Sequence, residues 1–303
     1  MKRPTTSPVT IELNAVLVAL TANEPQVLTL EDGALLPSGP FESEHPTLQS
    51  GLRAWVERQT HHPLGYVEQL YTFADRNRAD PATGRRIVSI SYLGLTREQL
   101  SRGPRDPEWR NWYRYFPWED WRGGPPALVA RHILPELRKW ADSRERKQRV
   151  EINFGDGKKR WNEELVLQRY ELLHEAGLLA EAGGDGPPAA MPTGMPMRYD
   201  HRRILATGIA RLRAKIKYRP VVFELMAESF TLLRLQRAVE ALAGRPLHKQ
   251  NFRRLIDQQG LVEETGAVSA EAAGRPAKLY RFRREVVAER AAGGSKLPLS
   301  RPA

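Results

Sequence analysis

Apolar positions recur along this chain in two periods, one strand-like and one helical, and their succession predicts the elements. IELNAVLVAL (11–20) is dense in apolar residues, and PQVLTL (25–30) follows the turn TANE as its hairpin partner. After EDGALLPSG, Leu48, Leu52, Trp55 and Val56 lie at helical spacing behind Thr47, a candidate N-cap. GYVEQLYTFAD (65–75) and IVSISYLGL (87–95) are runs of β-formers on either side of RNRADPATGRR, which carries turn signals. Hairpin, helix and long hairpin make a mixed α/β opening.

The middle of the chain is less regular. PEWRNWYRYFPWEDWRGG (107–124) holds four of the seven tryptophans, for which packing against the α/β core is the reading set against base stacking. ALVARHILPELRKWADSRERKQRVE starts as an amphipathic helix and is interrupted at Pro135. WNEELVLQRYELLHEAGLLAEA (161–182) predicts a helix with Leu165, Tyr170, Leu172, Leu173 and Ala176 on its buried stripe. A Gly/Pro loop (183–197) follows as the clearest linker. Helical periodicity restarts in YDHRRILATGIARLRAKIKYRP, with Ile204, Leu205, Ile209, Leu212 and Ile216 on one face. The other face carries Arg202, Arg203, Arg211, Arg213, Lys215 and Lys217, which suits either DNA phosphates or an acidic surface of a partner subunit.

From Val221 the pattern changes again. VVFELMAESF is a short helix candidate, and Thr231 can cap TLLRLQRAVEALA, whose apolar face is Leu232, Leu235, Val239 and Leu242. After GRPL, the segment HKQNFRRLIDQQG predicts a second helix anchored by Phe252, Leu255 and Ile256. LVEETG and AKLYRF are two short strands around the polar tip VSAEAAGRP. Helix, turn, helix and β-hairpin is the winged helix-turn-helix order, in which the second helix enters the DNA major groove. Its exposed positions offer His248, Lys249, Gln250, Asn251, Arg253 and Arg254. Arg grips guanine O6/N7 and Gln or Asn pairs with adenine N6/N7, so these residue types suit reading as well as adhesion. Arg275 near the wing tip, and Lys278 and Arg281 behind it, are placed for phosphates or the minor groove. The competing reading is a solvated basic surface on a protein-binding winged helix.

Composition narrows the picture. The 303 residues leave room for two domains, and 41% apolar with 27% charged residues describes a globular chain. No apolar run approaches the roughly 18 residues of a membrane span, and MKRPTTSPVT lacks the apolar core of a signal peptide. With no cysteine, disulfides, thiolate zinc sites and cysteine nucleophiles are excluded, and a cytoplasmic location fits. A formal charge of +11 favours a polyanionic partner.

LRAWVERQT, GYVEQLYTFADRNR, WYRYFPWEDW, RPVVFELM, FTLLRLQRAVEALAGRPLHKQNFRRLI and GRPAKLYRFRREVV resemble the Nudix-related transcriptional regulators of NAD biosynthesis, and among them the proteobacterial branch that represses de novo NAD synthesis genes. The resemblance covers residues 11 to 288 and is more specific in its C-terminal half. It implies an α/β fold: a Nudix-like α/β/α sandwich over 11–220 with a helical insertion at about 104–198, followed by a C-terminal winged helix-turn-helix domain over 221–288, between tails 1–10 and 289–303. It further implies a homodimer on double-stranded operator DNA with an inverted repeat, and an adenine nucleotide effector (NAD, ATP or ADP-ribose) with no cofactor and no membrane. On the ligand side it points to Arg53, Glu57, Tyr71, Phe73, Arg76, Arg78, Arg85 and Arg86.

The segment GPFESEHPTLQSGLRAWVERQT tests whether such a domain is also an enzyme. An active Nudix box places glutamates at i, i+3 and i+4 of one helix, so that a single face gathers carboxylates for Mg²⁺ on a pyrophosphate. Starting the box at Gly39, its first Glu position falls on His45. Arg53 and Glu57 are kept, Ala54 and Arg58 replace two glutamates, and Thr60 stands for the closing Gly. A lone Glu beside an added cation holds Mg²⁺ poorly, so no catalytic and no metal-binding residues are expected. Arg53 and Glu57 also have the spacing of an ordinary i,i+4 ion pair. The alternative function is a Nudix-type nucleotide diphosphate hydrolase with an appended nucleic-acid-binding module. His61-His62, GDGKKR (155–160) and Glu163-Glu164 read as a turn pair, a hairpin turn and helix-opening acids rather than as sites.

Overall fold

The structure, a computed structural model, describes residues 9–61, 64–75, 84–97, 107–155, 160–183, 193–269 and 276–285. The chain divides into two compact units, Met1–Leu225 with Ala238–Pro246, and Met226–Arg237 with Leu247–Ala303.

The first unit is built on a mixed sheet. Its first strand β1 (Val9–Thr21) pairs in parallel with β5 (Arg86–Leu95), and on its other edge with β2 (Glu24–Thr29) and the short β3 (Ser38–Pro40). The outer strands are β4 (Tyr66–Phe73) on β5 and β6 (Glu108–Asn111) on β2, giving the order β4-β5-β1-β2-β6. Strand alternation sends Leu13, Ala15, Leu17, Ile90 and Tyr92 to one face, where helix α1 (Leu48–Thr60) adds Leu52 and Val56. Each such buried side chain contributes about 1.5–3 kcal/mol. Thr47 caps α1 in a reciprocal capping box with Ser50.

The helical insertion opens with two 3-10 turns, Trp112–Arg114 and Pro117–Glu119. Trp112, Tyr115, Phe116 and Trp118 are wholly buried there, which decides for packing over base stacking. A π turn (Val129–Ile133) leads without a break into α2 (Leu134–Trp140), so Pro135 does not end the helix but follows a widened turn. Next come α3 (Arg144–Phe154), ended by Gly155 in the left-handed region, and α4 (Val166–Glu175). The latter is shorter than the apolar pattern predicts: it starts only after Leu165, with Glu163 turned inward, and Gly177 at φ +71° stops it. Helix α5 (His201–Ile216) covers the second face of the sheet; a Cβ on Gly208 would lie 2.8 Å from Val16 Cγ1, so only glycine permits this approach. Helix, sheet and helix complete the α/β/α sandwich.

Three linked charges are sealed together inside this unit. Arg169 Nε and Nη2 donate to the two Glu119 carboxylate oxygens at 2.5 and 2.7 Å, and Arg213 Nη1 donates to Glu119 Oε2 at 2.6 Å. Burial alone would raise the Glu119 carboxyl, but Arg169 and then Arg213 hold it below the usual carboxylate range.

The second unit contains the start of α6 (Leu232–Ala243), then α7 (Lys249–Gln259) and the hairpin β7 (Val262–Ser269) and β8 (Ala277–Phe282). Thr231 Oγ1 accepts from the Arg234 amide, as its capping role requires. Phe230 exchanges two backbone hydrogen bonds with Tyr280 (2.9 and 2.8 Å), adding a one-residue third strand to the wing. Phe230, Leu235, Phe252, Ile256 and Leu261 are buried in this unit.

Candidate nucleic-acid interface and the altered Nudix helix

Helix α7 turns its apolar side inward and its basic side out. Phe252 and Ile256 are buried, while His248, Lys249, Gln250, Asn251, Arg253 and Arg254 are all exposed. Among the described residues, Lys249, Arg253 and Arg254 make no ion pair, so their charges are available to a polyanion. His248 is the N-cap and gives no side-chain hydrogen bond, leaving that end of the helix open to an acceptor. The wing differs. Lys278 Nζ lies 2.8 and 2.9 Å from the two Glu264 oxygens, and Arg281 Nε lies 2.6 Å from Glu263 Oε1. The lysine holds the Glu264 carboxyl below its ordinary range, and both wing cations, though exposed, are paired within the hairpin. Arg275 lies outside the described residues.

The segment matching the Nudix box has kept its shape for reasons of packing. A Cβ on Gly39 would lie 2.2 Å from Trp55 Cδ2, because the indole lies flat against β3 and donates to Pro40 O at 2.8 Å. Arg58 stacks over the same indole, 4.6 Å from its centroid. Arg53 does not pair with Glu57: it donates to Leu64 O and, at 3.2 Å, to Gly65 O, tying down the loop after the helix. His45, at the position of the first acid, accepts the Glu42 amide at 3.1 Å and packs on Gly51. Glu57 is exposed and is the one acid of α1. Among the described residues no three His, Asp or Glu side chains are grouped to hold a metal, so the residues present do not fit the magnesium site of the Nudix box.

These geometries meet three findings. Residues 222–282 match the family model of the NrtR DNA-binding winged helix domain. The ADPR responsive transcriptional repressor NtrR of Acinetobacter baylyi is 41% identical over 88 residues, which are 29% of this chain and 35% of that protein. The chain thus matches about a third of the length of this curated relative. Among solved structures, Shewanella oneidensis NrtR complexed with a 27mer DNA superposes with a TM-score of 0.54 at 21% identity, covering 92% of this chain and 95% of the other. A MutT/nudix family protein from Enterococcus faecalis gives 0.52 at 16% identity, covering 93% and 90%. The C-terminal unit is a winged helix of the NrtR kind. The N-terminal unit has a Nudix-like fold, and the resemblance read from the sequence is matched over residues 222–282.

The remaining sequence candidates lie on several elements of the first unit. Tyr71 is 58% exposed on β4 and meets Phe73 edge to face, centroids 5.0 Å apart. Phe73 itself is 1% exposed under the Arg203 guanidinium, so its ring is core. Arg85 and Arg86 are exposed, Arg86 donating to Ala74 O at 2.7 Å; Arg76 and Arg78 fall outside the described residues, as does His62. His61 is a left-handed helix cap, in keeping with a turn. Apart from the exposed Arg211, the basic face of α5 is spent internally. Arg202 and Arg213 are buried, Arg203 pairs with Glu171 and Asp75, Lys215 with Glu68, and Lys217 with Glu163 and Glu164. The buried Glu119, Arg169 and Arg213 were not among the sequence candidates; the one signal for them is an acid inside an aromatic run, PWEDW.

Proposed function

We propose that this protein is a DNA-binding transcriptional repressor of NAD biosynthesis genes, acting as a homodimer whose Nudix-like unit senses an adenine nucleotide. The observation that carries the reading is α7: a helix with an apolar anchor and three cations that make no ion pair among the described residues, beside Gln250 and Asn251, in a winged helix. The name of the Acinetobacter relative, responsive to ADPR, makes ADP-ribose the first effector to test, ahead of NAD and ATP. In a dimer, two recognition helices set about 34–36 Å apart would read an inverted repeat. The effector acts only through a difference in its affinity for the DNA-competent and DNA-incompetent states. The altered Nudix helix supports binding without turnover, since Glu57 is the one acid of α1 and no group of three His, Asp or Glu side chains stands among the described residues.

A mobility-shift titration on the promoter of the NAD synthesis genes tests target and effector together, with ADP-ribose, NAD, ATP and nicotinate added in turn. Retardation that is lost in Arg253→Ala and Arg254→Ala, and altered by one nucleotide, supports the reading. No retardation at moderate salt refutes it in favour of a protein-binding winged helix. Incubation with ADP-ribose and Mg²⁺ is expected to release no AMP; turnover abolished by Glu57→Gln would establish the hydrolase instead.

A further inference from the structure

Apolar spacing groups Leu255 with Phe252 and Ile256 as anchors of α7, but the structure turns it outward. Leu255 is 51% exposed, whereas Phe252 and Ile256 are buried. Every other exposed side chain of this helix, from Lys249 to Gln258, is polar or charged. One large apolar group thus stands in water on the face that carries the recognition chemistry.

Its neighbours indicate what covers it. The helix turns about 100° per residue, which sets Lys249 and Arg253 on one flank of the outward face. Asn251, Leu255 and Gln258 fall on the other flank, with Gln250 and Arg254 between the two. All of these side chains are exposed. Lys249, Arg253 and Arg254 make no ion pair among the described residues, and their charge suits a polyanion rather than an apolar protein surface. Cations confined to one flank draw that side toward a phosphate backbone and roll the uncharged flank toward the base edges.

The floor of the major groove is lined by hydrogen-bond donors and acceptors, with one apolar exception, the C5-methyl group of thymine. A leucine pressed against a base carbonyl or amine strips water from that group and returns no hydrogen bond. Pressed against the methyl group, both partners lose apolar surface to water at no polar cost. The two contacts differ in sign, and that difference is sequence discrimination.

We propose that Leu255 is a specificity-determining residue of α7, which reads thymine by packing on its C5-methyl group. The DNA that this protein selects then carries a thymine at one fixed position of each half-site. The inference rests on the DNA-binding reading above and adds a base contact that the polar residues of α7 do not supply.

The test uses the full chain and a fluorescent duplex that the protein selects from a random-sequence pool. Each thymine is replaced in turn by deoxyuridine, which keeps every hydrogen-bonding group and lacks only the methyl, and dissociation constants are measured by anisotropy. The wild type is expected to lose about fourfold in affinity per half-site at one position, the weight of one buried methyl group. Leu255→Ala should bind the thymine and uracil forms of that position equally well. Arg253→Ala, altered on the opposite flank, should weaken both forms alike and keep the difference between them. Should Leu255→Ala melt well below the wild type, Leu255→Gln takes its place with the same expectation. A wild-type series with no sensitive thymine overturns the inference. So does a Leu255 variant that keeps the uracil penalty, or that weakens on every duplex to the same degree. Each of these leaves the DNA-binding reading standing. Failure of the wild type to select or retard any duplex overturns that reading, and the inference with it.

Discussion

Replacing Lys249 by alanine should flatten the salt dependence of DNA binding, whereas replacing Lys278 should not. Each phosphate neutralised on B-DNA adds about −0.9 to the slope of log affinity against log salt. If Lys249, Arg253 and Arg254 each meet one phosphate, the proposed dimer makes roughly six contacts and has a slope of about −5. Affinity then falls roughly 10³-fold between about 50 and 200 mM salt. Lys249→Ala removes one contact per subunit, so the slope becomes about −3.6 and the same change in salt costs roughly 10²-fold. Lys278 is already bound to both oxygens of Glu264, and breaking an internal pair to meet a phosphate returns little net charge. Anisotropy titrations at four salt concentrations measure both slopes. A Lys278→Ala protein whose slope flattens as much as that of Lys249→Ala would refute the assignment of recognition charge to α7 rather than to the wing.

Three further outcomes follow from the first unit. Glu119→Ala leaves two buried guanidiniums without their carboxylate and should cost about 3–5 kcal/mol in urea unfolding, an expectation that a loss below about 1 kcal/mol would contradict. Because Glu119 titrates lower in the folded chain than in the unfolded one, its contribution is complete above the ordinary carboxylate range and is lost as pH falls through and below that range; Glu119→Gln should lack this part of the acid-side decline in melting temperature. Gly39→Ala drives a methyl into the Trp55 ring and should destabilise by about 1–3 kcal/mol, as read from the shift in the denaturation midpoint.

Much of this fold could be read from the chain because its signals are local. The strand at 11–20, the Thr47 and Thr231 caps and the helices at 48–60 and 249–259 come from patterns a few residues long, and they lie where those patterns place them. What escaped depends on residues far apart. Phe230 becomes a strand only because Tyr280 lies beside it, and Arg169 looks like a solvent-facing helix residue until Glu119, fifty positions earlier, is brought against it. The basic stripe of α5 shows the same limit. Charge periodicity located it, but nothing in the stripe announces that Glu68, Glu163, Glu171 and Asp75 converge on it from other elements. The recognition helix was legible because its chemistry faces solvent, where neighbours in sequence remain neighbours in space.

The course of α6 bears on how this protein can be dissected. A conventional cut at the end of the Nudix-like unit would fall within or just before that helix, since its first half belongs to one compact unit and its second half to the other. A winged helix excised at residue 226 would carry away the end of α6 and Gly244, whose carbonyls at Ala241, Leu242 and Gly244 accept from the Tyr113 hydroxyl, Arg213 Nε and the Trp121 amide of the first unit. The fragment left behind would retain Arg213 and Tyr113 aimed at an empty slot. A cut at residue 226 therefore divides the first unit, to which residues 238–246 belong.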